Sequence, residues 1–308
     1  MKNPLLNKKS FIIGGTMKAA TTSVFTYLNA HPQICGSSVK ETTFFGKQFT
    51  GNIDTDFNTY SNYFKKCPRN ADYIMEASTG YLHGGIKVAK RIKTMFPGVK
   101  LLFMLRNPTD RLYSYYNHMV SKLVSDFDNT ITFNEYVEKC FEHVNNGINL
   151  GQSKTNHLHF AALSHGRYAT YINEYFQIFP REQIKIMFYE KLNNNPKLFM
   201  YRLCDFLEID KDFYNLYTFS KLNVTFSSKL KFLHTLALTA NNKLERYTRR
   251  YPGIKRKIVS IYKYFNEEKV KKTVISDKTR ASLEEYYKKS NHELANILLG
   301  TDVPPWVK

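Results

Sequence analysis

Short apolar runs alternate along this chain with stretches of helical period. Runs at 10–14, 73–76 (YIME), 99–105 (VKLLFML) and 183–189 (QIKIMFY) are bounded by turn residues, the pattern of parallel strands covered on both faces. Helical spacing fills the intervals: 21–29 after the first run, 84–95 closed by Pro97-Gly98, and 109–122 after Asn107-Pro108. Over 167–179, Tyr168, Ile172, Tyr175, Phe176 and Phe179 share one face, and Pro180 ends the period. Phe199, Leu203, Phe206 and Leu207 repeat this over 196–207, and 277–299 is amphipathic. Stretch 132–143 reads as helix inside an otherwise irregular 126–165, and 221–272 as helices of mixed basic and apolar character. The alternation predicts an α/β fold, a central parallel sheet flanked by helices on both faces, with a helical C-terminal part. Ligands of such sheets bind at the carboxyl ends of the strands. The expected organisation is a single domain over 1–308, with 10–210 the nucleotide-binding α/β core and 211–308 mostly helical.

Composition agrees with a large core. The 308 residues are 43% hydrophobic and include 22 Tyr and 23 Phe. No apolar run approaches the length of a membrane span, so none is expected. The start, MKNPLLNKKSF, lacks an apolar stretch long enough for a secretory signal. Four dispersed cysteines, with no C-x-x-C and no His/Cys cluster, imply neither structural zinc nor disulfides. The expected compartment is the cytoplasm, or the Golgi lumen if an anchor has been removed.

Charge changes the picture more. The net charge is +19, and residues 221–272 hold 14 Lys/Arg against 3 Asp/Glu. An anionic partner follows from this excess, but not its kind. LERYTRRYPGIKRKIVSIYKYF, within that stretch, leaves three readings open: a solvated helical face, a receiver for an anionic acceptor, or a peripheral contact with an anionic membrane. No nucleic-acid reader module is recognisable, so nucleic acid is not expected as a partner.

Two stretches carry chemistry. In FIIGGTMKAATTS, 11–23, a strand turns at Gly14-Gly15 into a helix start bearing Lys18, Ala19, Ala20 and the hydroxyls of Thr21, Thr22 and Ser23. Backbone N–H groups at a helix start bind phosphate or sulfate. The nucleotide-hydrolysing pattern G-x-x-x-x-G-K-S/T does not fit: Lys18 comes three residues after Gly15, and Ala19 stands where a magnesium-binding hydroxyl belongs. In LLFMLRNPTDRLYSYYNHM, 101–119, a buried strand runs into Arg106, and a helix capped near Thr109 or Asp110 carries Ser114 and His118. An arginine fork and a serine hydroxyl suit one phosphate; a helix cap at Asp110 paired with Arg106 is the structural alternative.

GTMKAATTSVFTYLNAHP resembles the 5′-phosphosulfate loop of sulfotransferases that use 3′-phosphoadenosine 5′-phosphosulfate (PAPS), and LRNPTDRLYSYY resembles their 3′-phosphate motif. Lys40-Glu41-Thr42-Thr43-Phe44-Phe45 is similar to the acidic segment of the heparan-sulfate type, and HGRYATYINEYFQIFPREQIKIMFYEKLNNNP, 165–196, to the family's later helix, turn and core strand. The ending from Leu299 to Trp306 is similar to the ends of bacterial members. The likeness covers 10–210 and, more loosely, 275–306. It implies a P-loop-like sheet and sulfuryl transfer from PAPS, as co-substrate and with no metal required, to an acceptor hydroxyl or amine. A carbohydrate acceptor, such as an anionic glycan, is favoured; a small-molecule metabolite or a non-PAPS phosphotransferase are the alternatives. By resemblance Lys18 stabilises the leaving group. Ala19, Ala20, Thr21, Thr22 and Ser23 line the 5′ end, Arg106 and Ser114 bind the 3′-phosphate, and Tyr168 lies along the nucleotide or anchors its helix. Glu41 is the candidate general base and His118 the second; Glu76 matches a recurrent family glutamate and is a candidate to orient the site or the acceptor. Ala77 stands where the family has lysine, Thr43 where it has histidine, and Ala19-Ala20 where many members have Gly-Gly. The 221–231 stretch is the candidate for completing the 3′-phosphate clamp.

Overall fold

The computed structural model describes residues 7–122, 127–128, 130–146, 157–220, 227–228, 267–268, 275–298 and 302–307. The chain divides into two compact units, one of 1–111, 165–222 and 283–308, the other of 112–164 and 223–282.

The first unit is built on a five-stranded parallel sheet: β1 (Lys9–Gly15), β2 (Ile34–Gly36), β3 (Tyr73–Ala77), β4 (Lys100–Leu105) and β5 (Ile184–Phe188). Their order is β2-β3-β1-β4-β5. Around them run α1 (Thr21–Asn29), α2 (Ile53–Ser61), α3 (Gly85–Met95), the start of α4 (Pro108–Lys122), and, after α5 and α6 of the second unit, α7 (Tyr168–Phe176), α8 (Tyr189–Asn194) and α9 (Pro196–Leu207). Strand side chains alternate between two cores. Ile12, Ile74, Leu101, Phe103 and Leu105 face Ala89 and Ile92 of α3, Tyr175 of α7 and Leu294 of the C-terminal helix Asp277–Ile297. Phe11, Ile13, Met75, Leu102 and Met104 face Val24 and Leu28 of α1 and Leu203 and Leu207 of α9. Each such side chain contributes roughly 1.5–3 kcal/mol by leaving water, so a sheet buried on both faces is the fold's main source of stability.

In the second unit, α5 (Phe133–Asn145) opens with a capping box in which Thr132 and Glu135 satisfy each other's backbone N–H groups. α6 is the short helix His157–Phe160, a regular element inside the stretch read as irregular. Within 221–272, the described pairs Ser227–Ser228 and Glu267–Glu268 form a short antiparallel ladder rather than helix. The remainder of that helical expectation, the basic LERYTRRYPGIKRKIVSIYKYF stretch and most of the proposed 221–231 clamp lie outside the described residues.

The cysteine expectation is corrected as well. Cys35 and Cys67 form a disulfide, with Cα atoms 5.5 Å apart. Sequence spacing concealed it, because the two cysteines are 32 positions apart with α2 between them. Pairing of β2 with β3 brings Cys35 beside the chain entering β3. Cys140 and Cys204 are buried thiols. Among the described residues, no helix is long and apolar enough to cross a membrane.

Candidate active site

β1 lies between β3 and β4, so the strand order reverses beside it and a crevice opens at the carboxyl ends of β1 and β4. β1 does not stop at the glycines; it runs through Gly15. The two glycines are required by packing. A Cβ on Gly14 would sit 2.6 Å from the Phe103 ring, and one on Gly15 2.8 Å from Leu82 Cβ and 3.2 Å from the Thr79 carbonyl oxygen. The turn itself follows, with Lys18 (φ 70°) and Ala20 (φ 61°) in the left-handed region. Thr16 pins it, its N–H donating to Met104 O at 2.7 Å and its carbonyl accepting from Ala19 N at 3.3 Å.

α1 begins at Thr21 with Ala20 as N-cap, which has no side-chain acceptor to offer, and has no acidic residue in its first turn. The helix start is therefore left to an anion from elsewhere. Thr21 is buried and Thr22 half-buried. Ser23 is buried one turn before Tyr27, whose hydroxyl donates to Ser220 O at 2.6 Å.

Arg106 leaves the end of β4 and donates from Nη1 to Lys18 O at 3.2 Å, while its guanidinium carbon lies 4.5 Å from the centre of the Tyr189 ring. The cap of α4 is Asn107, whose Oδ1 accepts from the N–H groups of Thr109 (3.0 Å) and Asp110 (3.2 Å), with Pro108 first in the helix. Tyr168, wholly buried at the start of α7, donates its hydroxyl to Arg106 O at 2.8 Å. Burial raises its phenol to about 12. The tyrosine thus holds the backbone of the arginine.

Glu41 follows β2 with φ 64°. Its N–H donates to Ala77 O at 2.7 Å, its Oε2 accepts from Thr79 N (2.8 Å) and Thr79 Oγ1 (3.2 Å), and Lys40 pairs with its Oε1. Thr79 also borders Gly15, so the Glu41 carboxylate and the Lys18 loop share a neighbour. Glu76 is fully buried on β3 and accepts hydroxyl hydrogen bonds from Thr42, Ser78 and Tyr81. Burial pushes its carboxyl up to about 7.

Ser114 and His118, both half-buried on α4, belong to the second unit; the His118 carbonyl accepts from Ser121 Oγ at 3.1 Å. Lys18, Glu41, Arg106 and Tyr168 belong to the first, where all four lie at the carboxyl edge of the sheet.

Sequence reasoning missed three participants. His83 Nε2 lies 3.0 Å from Thr16 Oγ1, and the His165 ring stacks on it at 4.1 Å. Burial, aided by like charge, holds the His83 imidazole well below its usual range and lowers His165 to about 3, so both rings are neutral. Glu190 Oε1 accepts from Asn107 N (2.8 Å) and Trp306 Nε1 (3.2 Å), tying the end of β4 to the C-terminal segment. A charged residue two positions past a buried strand was the signal available for Glu190; His83 gave none.

The geometry defines an α/β protein in which a lysine-bearing turn before α1 is joined to an arginine at the next strand end. Residues 9–273 match the family model of the sulfotransferase domain, and the chain belongs to the sulfotransferase family. It is 26% identical over 306 residues to the human bifunctional heparan sulfate N-deacetylase/N-sulfotransferase 3, an alignment covering 97% of this chain and 31% of that protein. Human bifunctional heparan sulfate N-deacetylase/N-sulfotransferase 2 is 27% identical over 203 residues, covering 65% of this chain and 22% of its own. The chain thus spans at most about a third of the length of these relatives. The sulfotransferase from Alicyclobacillus acidocaldarius shares the fold, with a TM-score of 0.63 at 22% identity, covering 98% of this chain and 99% of that one.

Proposed function

We propose that this chain transfers the sulfuryl group of PAPS to a hydroxyl or amine of a carbohydrate acceptor, releasing adenosine 3′,5′-bisphosphate. The observation that carries the reading is the bond from Arg106 to Lys18 O, which joins a cradle for one anion to a guanidinium able to take a second. PAPS bears two such groups, one on each side of its ribose, and supplies an activated sulfuryl group.

The chain's own residues divide the work. The uncapped N–H groups of α1, with Thr21 and Thr22, hold the oxyanions of the 5′ end. Lys18 offsets the charge that grows on the bridging oxygen as the bond to sulfur breaks; donors fixed where charge develops lower the barrier. Arg106 takes the 3′-phosphate through its planar fork, and Tyr168 acts through Arg106 by holding its carbonyl. Glu41 accepts the proton of the attacking group, with His118 the second candidate. Ser114 keeps the phosphate role given by resemblance.

The relatives' names support an amine-bearing acidic glycan as acceptor. A small apolar acceptor is favoured instead by two exposed side chains beside the candidate residues, Met17 (38%) next to Lys18 and Val39 (42%) near Glu41.

Titration calorimetry with adenosine 3′,5′-bisphosphate and with ATP tests the donor; preference for ATP overturns the reading. Transfer of radiolabelled sulfate from PAPS to N-desulfated heparan sulfate, set against a panel of small phenols and alcohols, separates the two acceptors. Lys18→Ala is expected to abolish both transfers.

A further inference from the structure

Three consecutive backbone N–H groups follow Thr42, and each donates to a different hydroxyl. Thr43 N donates to Ser78 Oγ at 3.0 Å, Phe44 N to Thr42 Oγ1 at 3.3 Å, and Phe45 N to Tyr81 OH at 3.2 Å. The same three hydroxyls all donate to one carboxylate. Ser78 Oγ reaches Glu76 Oε2 at 3.3 Å, Tyr81 OH reaches Glu76 Oε1 at 3.2 Å, and Thr42 Oγ1 also bonds Oε2. Glu76, Ser78, Phe44 and Phe45 are at 0% exposure, Tyr81 at 2% and Thr42 at 5%, while Thr43 is half-buried.

This arrangement follows from the inventory of donors. A hydroxyl has one hydrogen and two lone pairs. Buried, it can accept a backbone N–H only if its own hydrogen also finds an acceptor, because an unmatched polar group out of water is costly. A carboxylate offers about four lone-pair sites on two oxygens and no hydrogen, so it alone among side chains can serve several hydroxyls from one place. The loop needs such support. Glu41 and Thr43 both have positive φ, 64° and 52°, without being glycine. That conformation persists only where the surroundings over-determine it. On one side the clamp is the end of β3, through Ala77 O and Thr79. On the other it is the hydroxyl relay, with Arg91 Nη1 closing the turn on Phe45 O at 2.7 Å.

We infer that Glu76 is a positioning residue for Glu41: its carboxylate orders, through Thr42, Ser78 and Tyr81, the three N–H groups that set the loop carrying the candidate base. The catalytic half of this inference rests on the reading of Glu41 as base; the relay does not.

Amide hydrogen exchange on the full chain tests the relay directly. In Glu76→Gln, a single amide NH2 replaces one oxygen, and the amides of Thr43, Phe44 and Phe45 are expected to exchange at least about tenfold faster, with those of β1 and β4 unchanged. Ser78→Ala should accelerate Thr43 above the other two, and Tyr81→Phe should accelerate Phe45. This residue-by-residue pattern is one that general destabilisation does not produce. The two hydroxyl variants carry the test if Glu76→Gln does not fold. Wild-type exchange at 43–45 in Glu76→Gln, or a uniform acceleration in the hydroxyl variants, overturns the relay. With PAPS and the acceptor found above, Glu76→Gln should lose about tenfold or more in kcat, as expected of a displaced catalytic group, while KM for PAPS stays within about twofold. Glu41→Gln run in parallel separates the two claims. Full kcat in that variant overturns the base assignment; lost kcat there with unaltered kcat in Glu76→Gln overturns the positioning role.

Discussion

Arg106 and Lys18, 88 residues apart, meet when the Arg106 guanidinium donates to the Lys18 carbonyl. β4 runs beside β1, so the two strands deliver their terminal residues to the same crevice. One side chain thereby braces the turn that carries Lys18, and in the proposed function its remaining donors take a phosphate.

Arg106→Lys keeps the charge but cannot both brace Lys18 O and fork a phosphate. Charge-assisted bonds of this kind contribute about 1.5–3 kcal/mol. Affinity for adenosine 3′,5′-bisphosphate should therefore fall on the order of 10- to 100-fold, while that for adenosine 5′-phosphate falls much less. Calorimetry on both nucleotides measures the difference.

Gly15→Ala is expected to destabilise the fold by about 1–3 kcal/mol, the usual cost of overpacking. The new methyl meets the Leu82 Cβ and a backbone oxygen, neither of which can swing aside. Gly14→Ala meets the edge of the Phe103 ring, which can tilt, and should cost less. Urea midpoints for the two variants and the parent decide the ranking.

Glu76 gives stability a pH dependence. Its carboxyl rises from the ordinary 4.5 to about 7 because it is buried, so the folded chain holds the proton more tightly than the unfolded one. The resulting stabilisation is complete below about pH 4.5 and is lost as pH climbs to 7 and beyond. A shift of this size corresponds to roughly 3 kcal/mol. Subtracting the denaturation free energies of Glu76→Gln from those of the parent across pH 4–8 isolates it, and a flat difference would contradict the assignment.

The Cys35–Cys67 disulfide closes a loop of 32 residues, which in the chain-entropy account stabilises by about 4 kcal/mol. Thiol titration of the denatured, unreduced protein should find two of four cysteines free, and reduction should lower the urea midpoint. Four free thiols would refute the pairing.

The frame was legible in sequence because its signals are local. α1 matches the stretch 21–29 that the period marks, and Pro97-Gly98 ends the helix before β4 as its chemistry requires. β2 escaped notice because three residues show no alternation, and the disulfide escaped with it. At the site, each motif was readable alone, yet their contact was not, since strand order is a global property. Glu76 shows the same limit. Its partners lie up to 34 residues away, and a glutamate after an apolar run gives no hint that it will be wholly enclosed. The sequence puts the cap of α4 two or three residues late, at Thr109 or Asp110, because Asn107 reads first as a breaker before Pro108.

β1 and β4 are bonded on both flanks, whereas β2 is three residues long with β3 alone beside it. Lys18 and Arg106 thus follow strands fixed on two sides, whereas Glu41 follows a strand fixed on one. Substitutions around β2 are therefore expected to displace Glu41 while Lys18 and Arg106 keep their places.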